Sequence, residues 1–234
     1  MNTDDPNVAM LGIVAEHLGD ALRAQLVFVG GAVAGLLVTD PASPSIRPTE
    51  DVDLVCSALA LADYYRLGAQ LRERGFMEDA RPGAPACRWR IGTLAVDVMP
   101  ARADILGFSN RWYPLAVETA QRVVLPGKQA IRLVTAPVFA ATKLEAFHGR
   151  GQGDFLFSHD LEDLLAIVDG RPSLLEECRG SPPGLRRYLA DQFAALLATP
   201  AFLEALSGHL PGDAASQQRL PALRQTLRLI AGLA

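Results

Sequence analysis

The stretch Phe28–Val55, FVGGAVAGLLVTDPASPSIRPTEDVDLV, decides the fold. With Leu26 and Val27 in front, its first residues form a short, partly β-branched apolar run that stops at Gly30-Gly31, which reads as a buried strand and a tight turn. Ala32–Val38 reads as a short helix. Asp40–Thr49, with three prolines and two serines, reads as a surface loop. Asp51-Val52-Asp53-Leu54-Val55 then alternates polar with apolar, the pattern of a second strand. Residues two apart in a strand share a face, so Asp51 and Asp53 project together from an apolar matrix. Two like charges so placed repel and lose solvation, and a divalent cation relieves both costs. Solvent exposure or a turn-capping role is the plainer alternative. Gly30-Gly31 likewise is either an ordinary turn or a place where backbone N–H groups approach an anion.

Working outward, Cys87–Ile91 and Leu94–Met99 read as strands of a hairpin turning at Gly92-Thr93, and Leu94–Met99 carries one acid, Asp97, in an otherwise apolar run. If this strand lies beside the first, Asp97 completes a set of three carboxylates able to hold ions and accept a proton. Upstream, Val8, Leu11, Val14, Leu18 and Leu22 mark an amphipathic helix over 7–24. A further helix carries Ala60, Tyr64, Leu67 and Leu71 and ends at Gly75, and a strand and turn lie within 122–134. From Thr135 the texture is helical: 137–148, 159–168 behind a Ser158 cap, 185–199 and 219–231, with a glycine-rich break over 149–153. The expected organisation is α+β, with a core over 1–134 and a helical domain over 135–234.

Composition excludes several classes. The 234 residues are 50% hydrophobic with a net charge of −4, unlike a disordered chain. The longest apolar run, Leu26–Val38, is interrupted by glycines and too short for a bilayer, so no membrane association is expected. The opening residues, with Asp4 and Asp5, lack a basic then apolar leader, which leads us to expect a cytoplasmic protein. Three scattered cysteines without a C-x-x-C pair fit neither a disulfide framework nor a thiolate zinc site. Four histidines leave oxygen ligands as the expected donors for any metal. The acidic balance argues against nucleic-acid binding through bulk positive charge.

In the helical half, Phe139, Lys143, Ala146 and Phe147 share a face. A lysine in that stripe requires anions beside it, a triphosphate or carboxylates, or else a path to solvent along the edge. Asp160 and Asp163 share a face near the start of the next helix. Arg88, Trp89 and Arg90 could meet a base or phosphate, but an edge strand with alternating residues explains them equally. Arg219, Arg224 and Arg228 read as a solvated basic face.

The order Gly-Gly, then R-P-T-E-D-V-D-L, then an isolated acid in V-D-V resembles the nucleotidyltransferase superfamily of the polymerase-β type. More closely it resembles the AbiEii-like nucleotidyltransferases, which include abortive-infection and toxin–antitoxin toxins. Lys143 and Asp160-Leu161-Glu162-Asp163-Leu164 match that family's later motifs, so the resemblance spans about Val27 to Val168. It implies a nucleotidyltransferase core with a mixed β-sheet flanked by helices. It also implies Asp51, Asp53 and Asp97 as ligands of Mg²⁺ and Gly30, Gly31, Arg47, Thr49 and Lys143 as contacts to a nucleoside triphosphate. Asp97, Lys143 and Asp160 join the paired acids in the catalytic set. The implied acceptor is a tRNA end or a protein hydroxyl, and the implied partner an antitoxin protein. An antibiotic-type small-molecule nucleotidyltransferase and a catalytically silent nucleotide-binding or interaction module are the alternatives. The chain departs from the family in lacking a serine after Gly30 and in the length of the segment between Gly31 and Asp51.

Overall fold

The computed structural model describes residues 5–151 and 153–234, so Asp4 and Gln152 lie outside the described residues. The chain divides into two compact units. One comprises the residues up to Gly35 together with Arg47–Thr135, the other Leu36–Ile46 with Ala136–Ala234. The sequence gives no sign that Leu36–Ile46 belongs with the C-terminal helices.

The first unit begins with helix α1 (Pro6–Gln25), capped by the Asp5 carboxylate on the Asn7 N–H. Its apolar stripe is buried as the periodicity requires. The periodicity did not show the break at Gly19, where φ is +66° and the Arg74 side chain fills the space a Cβ would need. Strand β1 (Leu26–Val29) follows, then a 3₁₀ turn over Gly31–Val33 and α2 (Ala34–Leu37), in place of the single helix expected from Ala32 to Val38. The proline-rich segment leads into β2 (Asp51–Cys56), α3 (Leu61–Glu73), the short β3 (Met77–Glu78) and the hairpin β4 (Arg88–Ile91) and β5 (Leu94–Pro100). Two short helices, α4 (Ala103–Leu106) and α5 (Tyr113–Thr119), precede a second hairpin, β6 (Gln121–Val124) and β7 (Ala130–Leu133).

The strands form one seven-stranded sheet in the order β3-β4-β5-β2-β1-β7-β6. It is mixed: β2 runs parallel to β5 and β1 to β7, while β1–β2, β3–β4, β4–β5 and β6–β7 are antiparallel. The inner strands are buried because their side chains meet apolar neighbours on at least one face. Val52, Leu54, Val96, Val98 and Trp89 are all removed from solvent. Helix α3 contributes to this packing: the Tyr64 hydroxyl donates to the Val98 carbonyl at 2.8 Å, and Gly68 leaves room for the Trp89 ring.

The second unit is helical: α6 (Ala136–Arg150), α7 (His159–Gly170), α8 (Leu174–Arg179), α9 (Pro183–Leu197), α10 (Pro200–Ala205), a 3₁₀ turn over Leu206–His209, α11 (Ala214–Gln217) and α12 (Leu220–Ala231). Helix α6 continues through Gly149 and Arg150, so the expected glycine-rich break starts later than the glycines imply. Ser158 caps α7 as expected. Phe139, Leu144, Leu161, Leu164, Ile167, Leu189, Phe193 and Leu227 build the core. The segment 36–46 is tied in through polar bonds. Thr39 and Asp40 N–H groups both donate to the Gly170 carbonyl, and Arg171 donates to the Leu37 carbonyl. Arg219 is not part of a solvated face. Its guanidinium bonds Asp169 Oδ2 at 2.7 Å and Asp40 Oδ2 at 2.6 Å, pinning the loop to the helices.

Candidate active site

The acids come together through strand register. In the parallel β2–β5 pair, Asp53 lies directly opposite Asp97 and Asp51 opposite Ala95. Neighbouring strands are about 4.8 Å apart, so the Asp53 and Asp97 backbones are adjacent. The two-residue turn at Gly92-Thr93 sets Arg88 opposite Asp97 on its other side. The Arg88 N–H donates to the Pro85 carbonyl, and its own carbonyl accepts from Asp79. Arg88 and Asp97 therefore form a non-hydrogen-bonded pair, the kind in which cross-strand side chains lie closest. Residues directly opposite share a face, which places Asp51, Asp53, Asp97 and Arg88 on one side of the sheet.

Arg88 is the hub of this face. Its Nε donates to Asp97 Oδ1 and its Nη2 to Asp97 Oδ2, both at 2.7 Å, and Nη2 also donates to Asp51 Oδ2 at 2.9 Å. The fork geometry matches a carboxylate in two parallel bonds, the stronger form of ion pair. The bond from Asp97 raises the Arg88 pKa further above the pH range in which proteins work. Next to it, burial, with the Asp97 charge adding, pushes the Cys87 thiol up to about 12, so this cysteine stays protonated.

Asp53 turns towards the glycine turn. Gly30 has φ +72° and ψ −171°, a conformation almost confined to glycine, and a Cβ there would stand 2.6 Å from both Cβ and Cγ of Asp53. The missing side chain at Gly30 is thus what lets Asp53 occupy its place. Gly31 opens the 3₁₀ turn, with its carbonyl accepting from Ala34.

The approach to Asp51 is fastened by a residue that sequence reading passed over. The fully buried Asn7 donates from Nδ2 to the Arg47 carbonyl at 3.0 Å and accepts the Thr49 N–H on Oδ1 at 2.9 Å. The Thr49 hydroxyl lies 3.2 Å from the Asp51 carbonyl and donates to it. The Arg47 carbonyl and the Thr49 N–H and hydroxyl thus help to fix where β2 begins, and Arg47 Nη1 also donates to the Pro48 carbonyl. No local pattern marks Asn7, which sits 40 residues before Arg47.

As the side chains stand, no group of three or more His, Cys, Asp or Glu among the described residues converges as ligands of one ion. At Asp51 and Asp97 the Arg88 guanidinium lies between the two carboxylates. The donor chemistry fits a hard divalent ion: carboxylate oxygens from two neighbouring strands, two of them already gathered on one positive charge.

Lys143 and Asp160 form a cluster within the helical unit. The Lys143 ammonium lies 2.6 Å from Asp163 Oδ2 and 3.2 Å from Asp160 Oδ1, with the residue 7% exposed. Arg150 holds Asp160 in two bonds, at 2.8 and 2.9 Å. Of the anions that the buried lysine requires, the structure supplies carboxylates. Burial pushes the Asp160 carboxyl up, but Arg150 and Lys143 outweigh it and its pKa lies below the ordinary value.

No family model matches the sequence, and no curated protein matches it. Among solved structures, a chain described as "putative nucleotidyltransferase from H. pylori" is similar. It is 13% identical with a TM-score of 0.44, covering 99% of this chain and 96% of that one. At that level of similarity, only the geometry of the site bears on function.

Proposed function

We propose that the acidic face of the sheet is the catalytic centre of a Mg²⁺-dependent nucleotidyltransferase. The observation that carries this reading is the register that sets Asp53 beside Asp97 and leaves Asp51 and Asp97 sharing one cationic partner. Asp51 and Asp53 would hold the ion, which when bound would supply charge neutralisation for the triphosphate. Asp97 takes the proton of the attacking hydroxyl, the new P–O bond forms in line, and the bond to pyrophosphate breaks. The backbone N–H groups of the Gly30-Gly31 turn serve as phosphate donors. Position and charge compensation do the work here. Following the family resemblance, the acceptor is an RNA end or a protein hydroxyl, and the cellular role that of an abortive-infection or toxin–antitoxin toxin.

The test uses each α-labelled nucleoside triphosphate with Mg²⁺ and total RNA or protein. Label transfer is expected, falling roughly 10²–10³-fold or more in Asp53→Asn. Transfer undiminished in that variant would refute the assignment. A second reading, a silent nucleotide-binding or interaction module, is favoured by one observation: Arg88 already compensates two of the three acids. Nucleotide binding that Mg²⁺ does not strengthen, with no transfer to any acceptor, would select it.

A further inference from the structure

Arg88 makes three bonds to two carboxylates that the proposed reaction gives to a divalent ion and to proton transfer. One nitrogen, Nη2, bridges an Asp51 oxygen on β2 and an Asp97 oxygen on β5, so the guanidinium stands where a cation shared by those oxygens belongs. The cluster is not sealed. The side chains of Asp51, Arg88 and Asp97 keep 35%, 24% and 11% of their surface open to solvent. Arg88 is anchored to the fold by its backbone, through Pro85 and Asp79, and by the register of β4 against β5. The guanidinium at the end of its flexible stem therefore leaves by side-chain rotation alone, with no strand disturbed.

We propose that Arg88 is an internal counter-cation, which holds Asp51 and Asp97 together in the absence of a divalent ion and is displaced from them when the ion binds. This rests on the nucleotidyltransferase reading of the same acids. It follows that the protein's own charge competes with the metal. Without Arg88, two carboxylates on adjacent strands would lose the cation that bridges them, so the ligand-free sheet gains what metal affinity loses. Once released, the guanidinium is chemically suited to the phosphates of the incoming nucleotide.

The experiment is a Mn²⁺ titration, followed by the loss of the free-ion paramagnetic resonance signal, on the intact chain and its Arg88→Gln, Arg88→Lys and Asp53→Asn variants. Thermal melting with a chelator and with Mn²⁺ accompanies each. Arg88→Gln is expected to bind Mn²⁺ about tenfold more tightly than the parent, about 1.4 kcal/mol. Its melting point should fall in chelator and recover with Mn²⁺. Arg88→Lys, whose compact ammonium cannot bridge in the same way, should lie between. If Arg88→Gln binds Mn²⁺ no more tightly than the parent while Asp53→Asn abolishes binding, the counter-cation role is wrong and the metal site stands. If none of the proteins, parent included, binds Mn²⁺, both readings fall. Should Arg88→Gln fail to fold, Arg88→Lys decides: Mn²⁺ affinity unchanged or weaker than the parent overturns the inference.

Discussion

Replacing Gly30 with alanine tests whether the turn exists for the sake of Asp53. Two costs add. The backbone at φ +72° and ψ −171° strains any residue with a Cβ by about 1–3 kcal/mol. The new methyl also meets Asp53, and rotating the Asp53 side chain relieves only part of this. Cγ swings away from its 2.6 Å contact, but Asp53 Cβ, also at 2.6 Å, is fixed to the strand. Accommodating it requires β1 and β2 to shift, an overpacking cost of about 1–3 kcal/mol. The expected total is about 4 kcal/mol. Gly83→Ala separates the two costs, because Gly83 also has positive φ, +83°, but nothing lies within 4 Å of its would-be Cβ. It should lose only the backbone part, about 1–3 kcal/mol. Urea denaturation of the three proteins gives the difference. If Gly30→Ala is no more destabilised than Gly83→Ala, the close approach of Asp53 is not what the glycine serves.

Asn7→Ala removes two part-buried side-chain bonds, one to the Arg47 carbonyl and one from the Thr49 N–H; a loss of about 2 kcal/mol is expected. Melting should fall by roughly 4–8 °C, and a shift below a degree would mean that the segment before β2 is held by something else. The Asp160 cluster predicts an acid limit. Its pKa is lower folded than unfolded, so its stabilisation is complete above the unfolded carboxyl value, near 4, and disappears as pH falls through the folded one. Lys143→Met should therefore flatten the acid side of the stability–pH curve measured by denaturation, and an unchanged slope there would refute the coupling.

Much of the sheet was legible because its signals are local. Alternation over Asp51–Leu54 and the single acid in the apolar run Leu94–Met99 mark which residues carry the chemistry, and β2 and β5 bring them into adjacent positions. What escaped was carried by contacts between distant residues. The helices α4, α5, α8, α10 and α11 are each seven residues or fewer, too short for a periodic stripe. The membership of Leu36–Ile46 in the helical unit depends on Gly170, Arg171 and Arg219 reaching a loop that composition describes only as proline-rich. Asn7 escaped for the same reason.

Arg88 is different, because the signal was present. A two-residue turn at Gly92-Thr93 fixes the hairpin register outward: Ile91 against Leu94, Arg90 against Ala95, Trp89 against Val96, and so Arg88 against Asp97. Counting four pairs back from the turn would have identified the residue that faces the isolated acid. An arginine in that position changes how the acidic strands are understood. Three carboxylates alone demand an external cation, so an empty cluster would be a destabilised one. With a guanidinium on two of the three carboxylates, part of that charge is already compensated, and on the proposed reading a divalent ion would displace the guanidinium from the oxygens they share. If the acids bind a divalent ion as proposed, its affinity is a difference between two cations' hold on the same oxygens, and a substitution at β4, outside the paired acids altogether, is expected to move it.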